Sequence, residues 1–278
     1  MEKQFNTRSM IFTLYGDYIR HYDHVIWIGS LIRLLEEFGH NEQAVRAAIS
    51  RMNKQGWVQA EKRGNKSYYY LTERGKARME EASKRIYKTE APRWDQNWYM
   101  LVYTIPEEKR HVRDELRQEL VWSGFGLLAN SCWITPNPME EEVARLIEKY
   151  DIKEYVSFFK ATYIGMQDQT ALVQKCWDLS EVNHRYDLFI KEYSEKYILA
   201  KRKLEKGELS DGSCFVESAW LVHQYRKFLF IDPNLPEPLL PQDWLGDAAA
   251  SLFTDYYQML QKPATRFFET VFALGEHD

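Results

Sequence analysis

The sequence predicts an α+β protein with a mixed N-terminal part, a sheet-containing middle part and a mainly helical C-terminal part. Three observations indicate this class: helical spacing gives way to β-rich runs after Gly56, strands and helices interleave from Trp98, and helical spacing dominates after Cys176. A chain of 278 residues exceeds one typical domain. We therefore expect domains at 1–87, 98–175 and 176–278, with a polar linker at 88–97.

Three helices are expected before Gly56. The first begins after Asn6 or Thr7, both good helix caps, and buries Met10, Ile11, Leu14 and Tyr18. The second covers Trp27–Phe38 and the third Glu42–Gln55. The turn between the last two is only Gly39–Asn41, which forces a sharp crossing and predicts a helix-turn-helix.

The third helix has two faces of different chemistry. An apolar stripe of Val45, Ala48, Ile49 and Met52 falls within about one quadrant of the helix and must be buried. The opposite face combines cations, an amide and small side chains that permit close approach to a grooved polyanion: Gln43, Arg46, Ala47, Ser50, Arg51 and Lys54. This pattern is typical of a recognition helix for DNA.

A β-hairpin is expected directly after this helix. Trp57–Arg63 and Ser67–Leu71 are rich in strand-forming residues and flank a tip of Gly64-Asn65-Lys66, where Arg63 and Lys66 are exposed cations. Helix, turn, helix and hairpin together predict a winged helix. Gln43 and Arg46 would read base edges, and Ser50 would approach the groove floor. The remaining predicted DNA contacts, mainly to phosphates, are Ala47, Arg51, Lys54, Arg63, Asn65 and Lys66.

The alternative is a winged-helix scaffold that contacts only proteins. Charge distribution bears on this choice. Residues 1–87 hold 15 Lys/Arg against 10 Asp/Glu, net +5, whereas the other 191 residues hold 22 against 31, net −9. An acidic body would repel phosphates except through the basic N-terminal end, which favours docking on nucleic acid in one orientation.

The middle part has the order β-α-β-β-α-β, which predicts a ferredoxin-like fold. Its strands are expected at Trp98–Ile105, Phe125–Ala129, Ser131–Thr135 and near Tyr155–Tyr163. The run LVYTIPEEKR from Leu101 resembles the opening strand of the Cas2 family, in which an Asp ends the strand and is proposed to hold a metal ion. Here that position is Thr104, a poor ligand for a hard cation. A Cas2-like nuclease is therefore a weak alternative, and we expect a dimerisation domain.

The C-terminal part is expected to be mainly helical. Helices are predicted at Ser180–Lys206 and Cys214–Phe230, and two more at about Ala248–Gln261 and Ala264–Leu274. Between them, four prolines fall within residues 233–241, which predicts a stiff, extended segment.

Three stretches together resemble the PaaX family of phenylacetic-acid-degradation repressors. They are VRAAISRMNKQGWV from Val45, the Cas2-like middle, and YRKFLFIDPNLPEPLLPQDWLG from Tyr225. The resemblance spans nearly the whole chain, and the proline-rich run is its most diagnostic piece. It implies a bacterial, homodimeric repressor that binds palindromic double-stranded operator DNA. It also implies that phenylacetyl-CoA, an acyl-CoA effector, releases the repressor from DNA.

An effector of this kind needs cations for its phosphates and an apolar slot for its aryl group. The proline-rich run and the helix before it offer both, and the expected effector residues are Trp220, His223, Tyr225, Arg226, Lys227 and Trp244. The alternative is ordinary packing of aromatic rings with the cations extended along them. The sequence contains no glycine-rich phosphate loop of the G-x-G-x-x-G type.

No catalytic residue, cofactor or metal site is expected. Cys132, Cys176 and Cys214 are solitary and suit buried positions in a reducing compartment. His21 and His24 are more suited to packing than to metal binding. No apolar run approaches the ~20 residues needed to cross a bilayer, and a secretory leader is not evident, so we expect a cytoplasmic protein without membrane partners.

Overall fold

The computed structural model describes residues 6–87, 93–166 and 168–275, which form a mixed helix-and-sheet structure. The chain divides into two compact units. The first unit comprises Met1–Lys88, Phe189–Lys227 and Ala248–Asp278, and the second comprises Thr89–Leu188 and Phe228–Asp247. The segment 176–278, expected as one domain, is thus shared between the units. Residues 88–92 of the expected linker lie outside the described residues.

The N-terminal part of the first unit begins with helices whose starts are fixed by side-chain caps. Asn6, Asn41 and Thr72 each accept a hydrogen bond from a backbone amide in the first turn of a helix, which confirms the cap expected at Asn6. The elements of this part, in chain order, are α1 (Thr7–Asp17), β1 (Val25–Trp27), α2 (Ile28–Glu36), α3 (Glu42–Lys54), β2 (Val58–Arg63), β3 (Lys66–Leu71) and α4 (Glu73–Ile86).

The strands β1, β3 and β2 form an antiparallel sheet in that order. The hairpin turn is shorter than expected. Arg63 pairs directly with Lys66, so the tip contains only Gly64 and Asn65, and Lys66 belongs to β3. Gly64 has φ +57°, the conformation that a two-residue type II′ turn requires at its first position. With only three residues, β1 is too short to show the alternation of apolar and polar residues that marks a strand. The sequence pattern instead predicts that Trp27 begins the following helix.

The apolar faces expected for the first helices are buried. Met10, Ile11 and Leu14 of α1 and Leu31 and Leu35 of α2 have no exposed surface. Tyr18, at the end of α1, stacks on Phe268 with a ring separation of 5.1 Å and packs on Phe215 at 5.2 Å. The N-terminal helices therefore share their core with residues from the C-terminal part of the chain.

The second unit confirms the expected β-α-β-β-α-β order. Its strands are β4 (Trp98–Tyr103), β5 (Gly126–Ala129), β6 (Cys132–Thr135) and β7 (Val156–Ala161). They form an antiparallel sheet in the order β5-β6-β4-β7, the arrangement of a ferredoxin-like fold. Leu101, Leu116, Leu120, Trp133 and Leu146 are among the buried residues that pack the helices on one sheet face. Its α-helices up to Cys176 are α5 (Arg110–Trp122), α6 (Glu140–Tyr150) and α7 (Gln169–Cys176).

The C-terminal segment forms three long helices, α8 (Leu179–Glu205), α9 (Asp211–Tyr225) and α10 (Gly246–Phe272). The prediction of two separate final helices is wrong, because α10 continues through Pro263. A proline inside a helix costs about 3 kcal/mol, but Leu260, Ala264 and Phe268 on either side of it are fully buried, and their burial offsets that cost. The expected helix up to Phe230 instead ends at Tyr225 and continues as a short 3₁₀ turn.

Candidate nucleic-acid interface

The orientation of α3 is fixed by its buried face. Val45, Ala48 and Met52 have no exposed surface and Ile49 is 1% exposed, so the apolar stripe expected from the sequence is confirmed. At the N-terminus of the helix, the Asn41 side chain accepts a hydrogen bond from the Ala44 amide at 2.8 Å. With this face of α3 buried, the opposite face lies at the surface.

That opposite face is exposed along its whole length. All six residues expected on it are solvent-accessible: Gln43, Arg46, Ala47, Ser50, Arg51 and Lys54. Arg46 donates from Nε to Glu42 Oε1 at 2.7 Å, and both side chains are more than half exposed, at 55% and 59%. An ion pair this exposed contributes at most about 1 kcal/mol, so a nucleic-acid acceptor can replace Glu42. Among the described residues, Arg51 and Lys54 have no carboxylate partner within salt-bridge distance.

The two predicted cations of the hairpin, Arg63 and Lys66, differ in how exposed their side chains are. Arg63 is exposed and forms two hydrogen bonds with Glu61, from Nε at 2.9 Å and from Nη2 at 3.1 Å. This pairing lowers the pKa of Glu61 and raises that of Arg63. Asn65 is exposed at the turn. Arg63 and Asn65 thus both lie exposed at the tip of the hairpin.

Lys66 departs from the expectation of an exposed cation. Its side chain is half-buried, with Nζ 5.1 Å from the ring centre of Trp27 and donating to the Gly275 carbonyl at 3.4 Å. The neighbouring Tyr68 hydroxyl also donates to that carbonyl, at 2.6 Å. Gly275 therefore packs against the hairpin, and because it is more than 200 residues away from Lys66 in sequence, this contact could not be predicted from the local pattern.

Two exposed cations near this surface were absent from the predicted set. Lys62 lies on β2 beside the turn, and Arg74 lies in the first turn of α4 with its guanidinium 4.3 Å from the ring centre of Trp57. Their positions follow from the hairpin pairing and from the Thr72 cap. The signal that could have found them is their spacing from the hairpin turn.

The residues expected to bind an effector fall into two groups. Tyr225 is buried in the first unit and stacks on Phe253 at 4.1 Å. Trp244 belongs to the second unit, where it packs edge-on against Tyr186 at 5.5 Å. For these two side chains, ordinary aromatic packing accounts for the observed contacts.

Trp220, His223, Arg226 and Lys227 have a different environment. The Trp220 ring stacks on His223 at 5.3 Å, and His223 shares a hydrogen bond with the Thr13 hydroxyl at 2.9 Å. Burial, with the positive charges of Arg226 and Lys227, lowers the pKa of His223 to about 3, so this imidazole is neutral. Lys227 is exposed and hydrogen-bonds the Gln224 side chain.

The second unit contains a mainly apolar cavity of about 470 Å³, a volume in the range of small-molecule sites. Trp98, Met100, Ile134 and Leu172 contribute apolar surface, and Lys175 is the one cation among the residues lining it. No residue of this cavity was in the predicted effector set. Its lining suits an aromatic or aliphatic group better than a phosphate.

Within residues 6–87, 93–166 and 168–275, no cluster of His, Cys, Asp or Glu side chains could hold a metal ion. Thr104, at the position of the Cas2-family aspartate, is exposed. In the same described stretches, the helices are too short or too polar to cross a membrane. Cys132, Cys176 and Cys214 are free thiols.

Comparison with known proteins gives consistent matches along the chain. Family models described as PaaX-like protein, PaaX protein central Cas2-like domain and PaaX-like protein C-terminal domain match residues 6–75, 91–173 and 177–270. The transcriptional repressor PaaX of Escherichia coli (strain K12) is 35% identical over 262 residues, covering 93% of this chain and 82% of that protein.

A solved structure supports the fold. The uncharacterized protein Rv0674 from Mycobacterium tuberculosis has a TM-score of 0.55 to this chain at 23% identity, covering 96% of this chain and 98% of that one. The family models also confirm the Cas2-like character of the middle part. With its three regions matched in order and a curated relative above 30% identity, the chain belongs to the PaaX family.

Proposed function

We propose that this protein is a transcriptional repressor that binds double-stranded operator DNA through a winged helix. The observation that carries the proposal is the 35% identity, over 93% of the chain, to a protein named as a transcriptional repressor. The geometry supports the same function, since the face of α3 opposite its buried stripe is exposed and bears Arg46, Arg51 and Lys54. In this proposal α2, the turn and α3 are the helix-turn-helix, and the β2–β3 hairpin is the wing.

The proposed roles follow from the chemistry of the groove. Arg46 and Gln43 read base edges, because the major groove presents acceptors on guanine to Arg and a donor–acceptor pair on adenine to Gln. Arg51, Lys54 and Arg63 contact phosphates, which position the protein without specifying the sequence. Ala47 and Ser50 are small enough to let the helix approach the groove, and Asn65 lies at the tip of the wing.

The proposal includes a homodimer on a palindromic operator. Two recognition helices reach successive half-sites when they lie one helical turn apart, about 34 Å. A small rotation between the two protomers would spoil that spacing, which gives a ligand a simple way to release DNA. We propose an aryl-acyl-CoA, such as phenylacetyl-CoA, as that ligand, and cytoplasmic action without a catalytic step.

Fluorescence anisotropy tests DNA binding by the full-length protein. The probe is a labelled duplex carrying an inverted repeat from the region upstream of the gene, and the control is a scrambled duplex of equal length. We expect preference for the repeat and a linear fall of log affinity with log salt, by about 0.9 for each phosphate contacted. No binding to either duplex at about 50 mM salt would favour the protein-scaffold alternative.

Effector specificity is tested by adding phenylacetyl-CoA, coenzyme A and phenylacetate separately to the preformed complex. We expect phenylacetyl-CoA to lower the anisotropy, with a coupling of about 5- to 150-fold in affinity. Release by phenylacetate alone would overturn the thioester assignment while leaving the repressor function intact.

A further inference from the structure

A layer of polar side chains, two of them buried and one half-buried, lies against α1 in the first unit. We call it the polar layer and define it by His40, His223 and Arg226. Each is tied to α1 by a hydrogen bond: Thr7 Oγ1 to His40 Nδ1 at 3.2 Å, Thr13 Oγ1 to His223 Nδ1 at 2.9 Å, and Arg226 Nη2 to the Ser9 carbonyl at 2.9 Å.

The polar layer has a positive charge that the surrounding protein does not neutralise. The Arg226 guanidinium bonds only neutral oxygens of Ser9, the carbonyl and the hydroxyl at 2.5 Å. Across the described part of the chain, no carboxylate comes within salt-bridge distance of Arg226. Burial lowers its pKa to about 10, and it remains a cation at neutral pH. The Arg226 side chain is half-buried, and even partial removal of a cation from water is unfavourable when no anionic partner accompanies it.

Two buried nitrogens of the polar layer also have no hydrogen-bond partner. They are Arg226 Nε and His40 Nε2, and the His40 side chain is only 6% exposed. His40 is close enough to His223 to contribute to the lowered pKa of that imidazole. The polar layer therefore contains two nitrogens that can donate a hydrogen bond but have no protein acceptor, in addition to the unneutralised charge of Arg226.

We propose that the polar layer is a binding site for an oxyanion, a phosphate or carboxylate group of a small-molecule ligand, with Arg226 as its principal cation. The guanidinium presents several N–H donors in a planar fork that matches the oxygens of these groups. Lys227, the next residue in the chain, is exposed and adds a second cation. Trp220, which stacks on His223, provides an aromatic surface for a ring attached to the oxyanion.

The site is connected to the recognition helix by covalent and packing contacts. His40 lies in the turn between α2 and α3, directly before the Asn41 cap. Ser9 and Thr13 lie on α1, which packs against α3. A ligand that draws Arg226 or His40 toward itself therefore acts on the two elements that set the position of α3. This coupling to DNA rests on the proposed repressor function, whereas the oxyanion site itself does not.

Isothermal titration of the full-length protein with four probes tests the site: inorganic phosphate, coenzyme A, phenylacetyl-CoA and phenylacetate. We expect at least one to bind, and Arg226→Gln to weaken its binding roughly 10- to 100-fold, the cost of losing a hydrogen bond to a charged group. Binding of both coenzyme A compounds but not phenylacetate assigns a phosphate. Binding of phenylacetate but not coenzyme A assigns a carboxylate.

The matched control is Arg266→Gln, which removes an exposed arginine that is paired with Asp211 in the same unit. We expect it to bind the same probe with wild-type affinity. Arg226→Lys keeps the positive charge but loses the planar array of N–H donors, so it should bind the probe with intermediate affinity. It replaces Arg226→Gln in the test if Arg226→Gln does not fold. Failure of all four probes to bind the wild type, or equal affinities for wild type and both Arg226 variants, would overturn the site.

Operator anisotropy on the same samples separates the two proposals. The quantity compared is the ratio of operator affinities without and with the bound probe. We expect a ratio well above one for the wild type and near one for Arg226→Gln, whatever the absolute affinities. Probe binding without any operator binding would refute the repressor function and leave the oxyanion site standing. Operator binding with a ratio of one for the wild type would refute the coupling.

Discussion

Among single residues, two of the exposed arginines proposed to contact DNA are paired with nearby glutamates on their own helix or strand. Arg46 is paired with Glu42 one turn earlier, and Arg63 of the β2–β3 hairpin is paired with Glu61. These exposed pairs are weak in water. They therefore orient the cations without preventing exchange of partners, and DNA binding would replace each carboxylate by a base edge or a phosphate.

Arg46→Ala should weaken operator binding by about 1–3 kcal/mol and relax specificity at one base pair. The reason is loss of a bidentate contact that only one base pair satisfies. Anisotropy against operators with single substitutions measures the effect. Arg33→Ala is the matched control, because Arg33 is exposed on α2 and paired with Glu36 in the same way. An equal loss on operator and random duplex would contradict base reading by Arg46.

Asp17 is a second residue whose environment has measurable consequences. It is 2% exposed, and its Oδ1 accepts hydrogen bonds from the hydroxyls of Tyr87 at 2.6 Å and Tyr257 at 2.7 Å, while Oδ2 is buried without a partner. Burial raises the pKa of Asp17, and the two hydrogen bonds only partly oppose that rise. The folded state thus favours the protonated carboxyl.

The raised pKa of Asp17 makes the free energy of unfolding depend on pH. With a folded pKa above the ordinary value of about 3.9, the stability contribution of Asp17 is full below that value and is lost as the pH rises through the folded pKa. Asp17→Asn stays neutral, so its advantage over the wild type in unfolding free energy should grow with pH, by about 1.4 kcal/mol per unit of pKa difference. Chemical denaturation from about pH 3 to 8, a range that begins below the unfolded pKa of about 3.9, measures it, and a difference that does not change with pH would contradict the raised pKa.

At the scale of elements, the start of α4 is set by its approach to the hairpin. Thr72 caps α4 and donates to the Gly56 carbonyl at 2.7 Å, so it joins the end of β3 to the turn before β2. Gly75, in the first turn of α4, is buried beneath the Trp57 carbonyl. Cap and close approach together fix the β2–β3 hairpin relative to the helices.

Gly75→Ala should destabilise the protein by about 1–3 kcal/mol, the usual cost of overpacking. A Cβ at this position would lie 2.5 Å from the Trp57 carbonyl oxygen, which is backbone and cannot turn aside. Gly16→Ala in α1 is the matched control, since its Cβ would lie 3.4 Å from the Met79 sulfur, an ordinary contact. Thermal unfolding should show a lower midpoint for Gly75→Ala only, and equal midpoints for the two variants would contradict the close approach.

At the scale of the whole molecule, the first unit is assembled from both ends of the chain. Ser30 on α2 donates to the Val271 carbonyl at 2.9 Å, and Tyr18 packs between Phe215 and Phe268. The proposed DNA-binding segment therefore completes its core with α9 and α10. Burial of such aromatic rings is a large share of what stabilises a small segment.

A fragment of residues 1–87 should therefore fold poorly by itself and bind the operator much more weakly than the full chain. Removal of 189–227 and 248–278 exposes Tyr18 and the inner faces of α1 and α2. Circular dichroism during heating should show a broad transition for the fragment and a cooperative one for the full chain. Cooperative unfolding of the fragment, with full operator affinity, would show that residues 1–87 are an independent domain.

Local sequence patterns predicted most of the helices and strands and the side of α3 that faces solvent. Val45 and Met52 repeat at helical spacing, and Asn41 and Thr72 cap helices within three residues, so these features depend on neighbours in the chain. Long-range packing sets three further features: Lys66 is half-buried against Gly275, α10 runs through Pro263, and Arg226 lies against Ser9 without a carboxylate partner among the described residues. These outcomes depend on burial and on partners up to 217 residues away, which no periodic pattern encodes.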